Sequence, residues 1–209
     1  MTEAEKFYGQ ADRDKHALAV GRIVLAWSEF QEVLGQLYAG LFGKEGWVKA
    51  LTEWQAQKSD HQQRQLLRKV VPDNLAMDEK TKEELIWLLD QTDEVIADQR
   101  NVGVHAPLMS FTDEKGKHQI VPLAMFGNKR AASLAGKDIL TEYDHYEGQI
   151  RKIATYAIAI QHNISPVRAG EVVWPDRPKF KKTARRCIDD LTDNKPTRRQ
   201  SKSANSLQS

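Results

Sequence analysis

Between Asp14 and Phe42, apolar residues recur three and four positions apart: Val20, Ile23, Val24, Trp27, Phe30, Val33, Leu34, Leu37, Tyr38 and Leu41. That spacing predicts one long amphipathic helix with a broad apolar stripe. Gly40 and Gly43 punctuate its end. A short helix is expected over 46–56, carrying Trp47, Leu51 and Trp54. Another is expected from Asp60 to Val71, stopping before Pro72, because proline disfavours helix in the residue before it. A second long stripe runs through Leu85, Leu88, Leu89, Val95 and Ile96 and reaches about Arg100, with Asp78 or Thr81 as its cap.

The period then changes. Leu108 to Thr112 and Gln119 to Ala124 are β-leaning runs flanking Asp113-Glu-Lys-Gly-Lys, which reads as a hairpin within about 107–125. A last long helix is predicted from Leu140 to Asn163, with Tyr143, Tyr146, Ile150, Ile153, Ala157 and Ile160 on its stripe. Core packing is the expected role of both tyrosines and of Trp27 and Trp87. The fold class is therefore all-α: an antiparallel helical bundle with a small inserted β-hairpin.

Charge divides the chain in two. Lys and Arg number 31 and Asp and Glu 29, so the whole is near balance. From Pro166 onward, however, there are eleven basic and five acidic residues. We therefore expect a helical domain over 1–165 and a basic, largely disordered tail over 166–209. The tail's last part has almost no apolar side chain to offset the entropy of ordering. Its first basic cluster is Lys179, Lys181, Lys182, Arg185 and Arg186, a candidate surface for nucleic-acid phosphates. A solubilising end is the equally simple alternative.

Several functions are excluded or disfavoured. The single cysteine, Cys187, rules out an intramolecular disulfide and a cysteine-rich zinc site. No apolar run approaches the ~18 residues of a membrane span. The first residues include acidic ones and lack the apolar stretch of a secretory signal, so a cytoplasmic protein is expected. The remaining histidines have no ligand spacing, and there is no phosphate-binding glycine loop, so neither metal nor cofactor is expected.

The segment Arg100-Asn101-Val102-Gly103-Val104-His105 carries the candidate chemistry. On an unbroken helix, Arg100 and His105 lie ~140° apart and would not converge. Gly103 permits a tight backbone, so a helix ending there would bring His105 back towards Arg100. Arginine offers phosphate a fixed fork of donors and keeps its proton. Histidine takes and gives a proton near neutral pH. Together they suit phosphodiester cleavage without a metal, His105 acting as general acid or base and Arg100 stabilising the charge that develops on phosphorus. Asn101 is the candidate supporting residue, positioning His105 or the phosphate. Glu29, near the margin of the first helix's stripe, is a candidate to orient Arg100. On spacing by itself, the simpler reading is a surface ion pair and a helix-capping histidine.

The segment also resembles the active motif of the HEPN family (higher eukaryotes and prokaryotes nucleotide-binding domains), in which an arginine, a polar residue and a histidine follow a long helix. The run Ala26-Trp27-Ser28-Glu29-Phe30-Gln31-Glu32-Val33-Leu34 with Leu37-Tyr38-Ala39-Gly40-Leu41-Phe42-Gly43 resembles the first long helix of bacterial members. The resemblance spans roughly Ala17 to His105. It implies a metal-independent endoribonuclease, a homodimer that unites two Arg–His motifs, RNA as substrate, and an antitoxin or defence protein as partner. Here Ala106-Pro107 follows the histidine, where some toxin subgroups place an aromatic two residues on. A non-catalytic RNA-, nucleotide- or partner-binding module is the alternative.

Overall fold

The computed structural model describes residues 10–74, 77–112, 114–115, 118–124, 127–164 and 174–181. Seven α-helices and one hairpin follow in the order α1 (Gln10–Gly40), α2 (Gly43–Gln55), α3 (Asp60–Val70), α4 (Glu79–Gln91), α5 (Ala97–His105), β1 (Leu108–Thr112), β2 (His118–Pro122), α6 (Lys129–Leu134) and α7 (Ile139–Ile164). A single π-helical turn, Thr92–Ile96, joins α4 to α5, so the two form one continuous rod.

Local chemistry starts these helices where the sequence predicts. The Ser59 side chain accepts from the Gln62 amide at the head of α3, and Asp78 accepts from the Thr81 amide at the head of α4. Each satisfies an amide that the first helical turn leaves without a partner. The hairpin pairs antiparallel, with Leu108 opposite Pro122 and Phe111 opposite Gln119.

Side-chain contacts tie the successive helices together. Tyr38 of α1 meets Trp54 of α2, and Arg64 of α3 meets Asp93. The α4–α5 rod then descends along both α1 and α7, with Glu84 beside Tyr156 and Gln99 beside Gln149. The core lies between α1, this rod and α7. Phe30, Leu34, Leu85, Leu88, Leu89, Ile96, Ile150, Ile153 and Ile160 are fully buried there. Removing each of these side chains from water contributes roughly 1.5–3 kcal/mol before entropy is counted. Tyr143, Tyr146 and Trp27 join this core as expected. No helix among the described residues is long and apolar enough to cross a membrane.

Two features depart from the sequence reading. The short α6 was not foreseen. It is capped by Asn128, and at six residues, with Lys129 and Arg130 exposed and Ala131, Ala132, Ser133 and Leu134 buried, it is too short to show a helical period. The packed body also does not end at residue 165. Residues 174–181 form an extended strap across α4, α5 and α7. Arg177 pairs with Glu83 and Glu84, and Phe180 stacks on Trp87 at 6.3 Å. The Lys181 amide donates to Gln149 at 2.8 Å, and its carbonyl accepts from Gln99 at 2.8 Å. The basic composition of the tail concealed two aromatic anchors, Trp174 and Phe180, and one arginine, Arg177, that pack or pair with the bundle. Residues 182–209, with Lys182, Arg185 and Arg186, lie outside the described residues.

Candidate active site

The helix that carries the motif stays intact through its last residue. The expectation that it breaks at Gly103 is corrected: Gly103 is helical and buried. A β-carbon there would sit 2.7 Å from Cδ1 of Ile23. Glycine serves the close approach of α5 to α1, not a turn.

Arg100 and His105 nevertheless meet. Nη1 of Arg100 lies 3.5 Å from Nε2 of His105. On a regular helix the pair must span ~7.5 Å along the axis and ~140° around it. The long arginine stem bridges both. Asn101 helps, because its Oδ1 accepts from the same Nη1 at 3.0 Å. Asn101 therefore positions Arg100, and its contact is with the arginine. An arginine keeps its proton, so a hydrogen bond to Nε2 needs that nitrogen bare and the ring proton on Nδ1. In that tautomer Nε2 is the basic atom. His105 is exposed at the helix end, while the Arg100 side chain is only 25% exposed.

Sequence reasoning missed the residues that hold Arg100 from behind. Trp27 of α1 lies 5.7 Å from the guanidinium carbon, within cation–π range. Its indole Nε1 donates to Oδ2 of Asp60 at 2.6 Å, and that same oxygen faces Nη2 of Arg100 at 3.9 Å. Asp60 opens α3, and Arg64 one turn later donates to the Asp60 carbonyl at 3.1 Å. Arg64 also donates to Asp93 at 2.8 Å, and Arg68 reaches both Asp90 and Asp93. Asp93 lies in the π-helical turn, so that turn ties the start of α3 to the rod bearing the motif. Asp60 was legible only as a first-turn acid. Trp27 was legible only as a core aromatic.

Glu29 does not orient Arg100. It is largely exposed and pairs with Arg151 of α7 at 3.4 Å, so that expectation is corrected in favour of Asp60. Lys179 and Lys181 lie on the strap, exposed to solvent. The strap meets α5 at Gln99, ~100° around the helix from Arg100, so these lysines are not gathered at the motif. No group of three or more His, Cys, Asp or Glu side chains among the described residues has metal-binding geometry.

Beside Arg100 opens a cavity of about 280 Å³, lined from α1 by Trp27, Ser28, Gln31 and Glu32 and from the α2–α3 corner by Trp54, Gln55, Asp60 and Gln63. A charged fork, an adjacent base and a recess thus share one surface. Compared with known proteins, the chain matches no protein family, no curated protein and no solved structure.

Proposed function

We propose that the protein is a metal-independent endoribonuclease of the HEPN type, acting as a homodimer in toxin-like growth control or anti-phage defence, with an antitoxin or defence protein as partner. The observation that carries the chemistry is the 3.5 Å approach of Arg100 to His105 at an accessible helix end. The resemblance of residues 17–105 carries the biological setting. His105 takes the proton of a ribose 2′-hydroxyl through Nε2. The oxygen attacks phosphorus, the bond to the 5′-oxygen breaks, and that oxygen leaves with the proton His105 has taken up. Arg100 holds the non-bridging oxygens as their charge grows. Asp60, 3.9 Å away and tied to Trp27, keeps the guanidinium aimed without filling its fork.

The test is the product. Incubation of the full chain with RNA in excess chelator yields 2′,3′-cyclic phosphate ends, read by mass spectrometry, and leaves an all-deoxy oligonucleotide intact. Cleavage of the deoxy strand at a comparable rate refutes the 2′-hydroxyl route.

The pairing face fits the outer side of α1. Leu18 and Leu25 stand two turns apart there, 57% and 62% exposed, and Leu25 is one turn from Ser28 at the cavity. Leu25→Asp is expected to convert a dimer to a monomer in light scattering, with the melting temperature held within a few degrees because the side chain is outside the core.

A further inference from the structure

The cavity next to Arg100 has an interior that phosphate chemistry does not use. Gln31 stands in its wall, only 9% exposed, on the buried stripe of α1. Neither its amide nitrogen nor its amide oxygen has a hydrogen-bond partner. Buried polar groups are nearly always paired, and an unpaired carboxamide combines a vacant donor and a vacant acceptor side by side. Trp27 and Trp54 border the same cavity, each with only an edge reaching it. Gln63, which also lines the cavity, spends its amide nitrogen on the Trp54 carbonyl at 3.2 Å, and that bond fixes the α2–α3 corner.

We propose that this cavity is a nucleobase pocket, in which Gln31 reads the hydrogen-bonding edge of the base next to the phosphate held by Arg100. The inference rests on the ribonuclease reading for its phosphate and adds the specificity element to it. Three observations converge. A base edge presents a donor and an acceptor together, the complement of a carboxamide, as in the paired contacts of glutamine with adenine. A cavity of about 280 Å³ holds the equivalent of roughly nine waters at ~30 Å³ each, about the heavy-atom content of one base. Arg100 lines the same cavity, so a base inside it leaves its sugar-phosphate at the guanidinium. Glu32 and Asp60 at the rim make the pocket unfavourable for a second phosphate.

The experiment is a titration of the full chain with each of the four nucleoside 5′-monophosphates and with ribose 5-phosphate, following tryptophan fluorescence. Trp27 and Trp54 place reporters in the wall. At least one nucleotide is expected to quench the emission and to bind tenfold or more tighter than ribose 5-phosphate. Gln31→Met, of similar shape without the amide, is expected to erase that margin and leave ribose 5-phosphate binding unchanged. Arg100→Ala weakens all five ligands alike. Ser28→Phe, an exposed change at the cavity mouth, serves as the second variant should Gln31→Met misfold, and is expected to block nucleotides selectively. Equal binding of nucleotides and ribose 5-phosphate, no binding of any up to millimolar concentration, or a base preference that survives both variants overturns the pocket. Base-selective binding without RNA cleavage upholds the pocket and defeats the ribonuclease reading. Cleavage without base-selective binding does the reverse.

Discussion

Alanine at His105 is expected to lower RNA cleavage by about 10²–10⁴-fold, the range for loss of a positioned general acid or base. Alanine at Arg100 is expected to cost about 10²–10³-fold, the range for loss of one charge-stabilising donor set. In the proposed mechanism the two act on one phosphate, so the double variant should fall little below the worse single one. His105→Ala touches an exposed side chain at a helix end and should leave circular dichroism and melting unchanged. Arg100→Ala also removes a cation from the Trp27 ring and frees Asp60, so a small loss of stability accompanies it. Arg100→Lys separates charge from geometry. A lysine keeps the positive charge but has no planar fork, and recovery of only a small part of the activity is expected. The measurement is single-turnover cleavage of a labelled RNA with chelator present. Full activity in His105→Ala sinks the assignment. Asn101→Ala should have a smaller effect than either, because Asn101 bonds to Arg100 and acts through it.

The long helices were legible because their apolar stripes are long enough to average out local accidents. Asp78 and Ser59 illustrate the finer level: a short polar side chain ahead of a periodic stretch announces the cap, and Asp78 was named on that ground. The motif was legible as a pair of residue types, but its geometry was not. Helical angles put Arg100 and His105 apart, and glycine suggested a break. A helical wheel records Cβ directions only. It misses the reach of an arginine stem, and it does not show that Gly103 faces Ile23. The supporting cluster was hidden for a related reason. Trp27, Asp60, Arg64 and Asp93 come from three elements, and their meeting is a property of how α3 seats between α1 and the rod. Gln31 had a weak signal, a polar residue four positions after Trp27 on the buried stripe. The strap was misjudged because average composition weighs eleven basic residues and not the match of Arg177 with Glu84 and of Phe180 with Trp87.

That match sets the second expected result. Glu84 is 2% exposed, and its carboxylate takes Lys80, Arg177 and the Tyr156 hydroxyl. Burial alone would push this carboxyl up, but the hydrogen bonds from Arg177, Lys80 and Tyr156 outweigh it and hold it down at about 2. The unfolded carboxyl titrates near ~4.3. A carboxyl held lower in the folded state stabilises above its unfolded value and loses that contribution as pH falls through its folded one. The strap should therefore stay docked at pH 5 and come loose as pH falls from ~4.3 towards 2. Glu84→Gln should flatten that window. Glu84→Ala removes the anion from beneath Arg177 and leaves the Tyr156 hydroxyl buried without its acceptor. A cost on the order of 3 kcal/mol is expected for breaking such a buried pair. For a chain of this size that corresponds to a melting temperature lower by about 6–12 °C. Trypsin supplies the local readout, because Lys179 and Lys181 lie on the strap, and docking holds that backbone against the bundle. Faster cleavage there in Glu84→Ala, at a temperature where the bundle remains folded, would separate undocking from global unfolding. An unchanged melt together with unchanged cleavage would show that the ion pair does not hold the strap. Undocking also reaches the site. The strap's last described carbonyl bonds to Gln99, the residue before Arg100, and Gln99 is bonded to Gln149 of α7. When that carbonyl leaves, a buried carboxamide on α5 loses an acceptor one residue from Arg100. Cleavage by Glu84→Ala should therefore fall by a few-fold, far less than for His105→Ala.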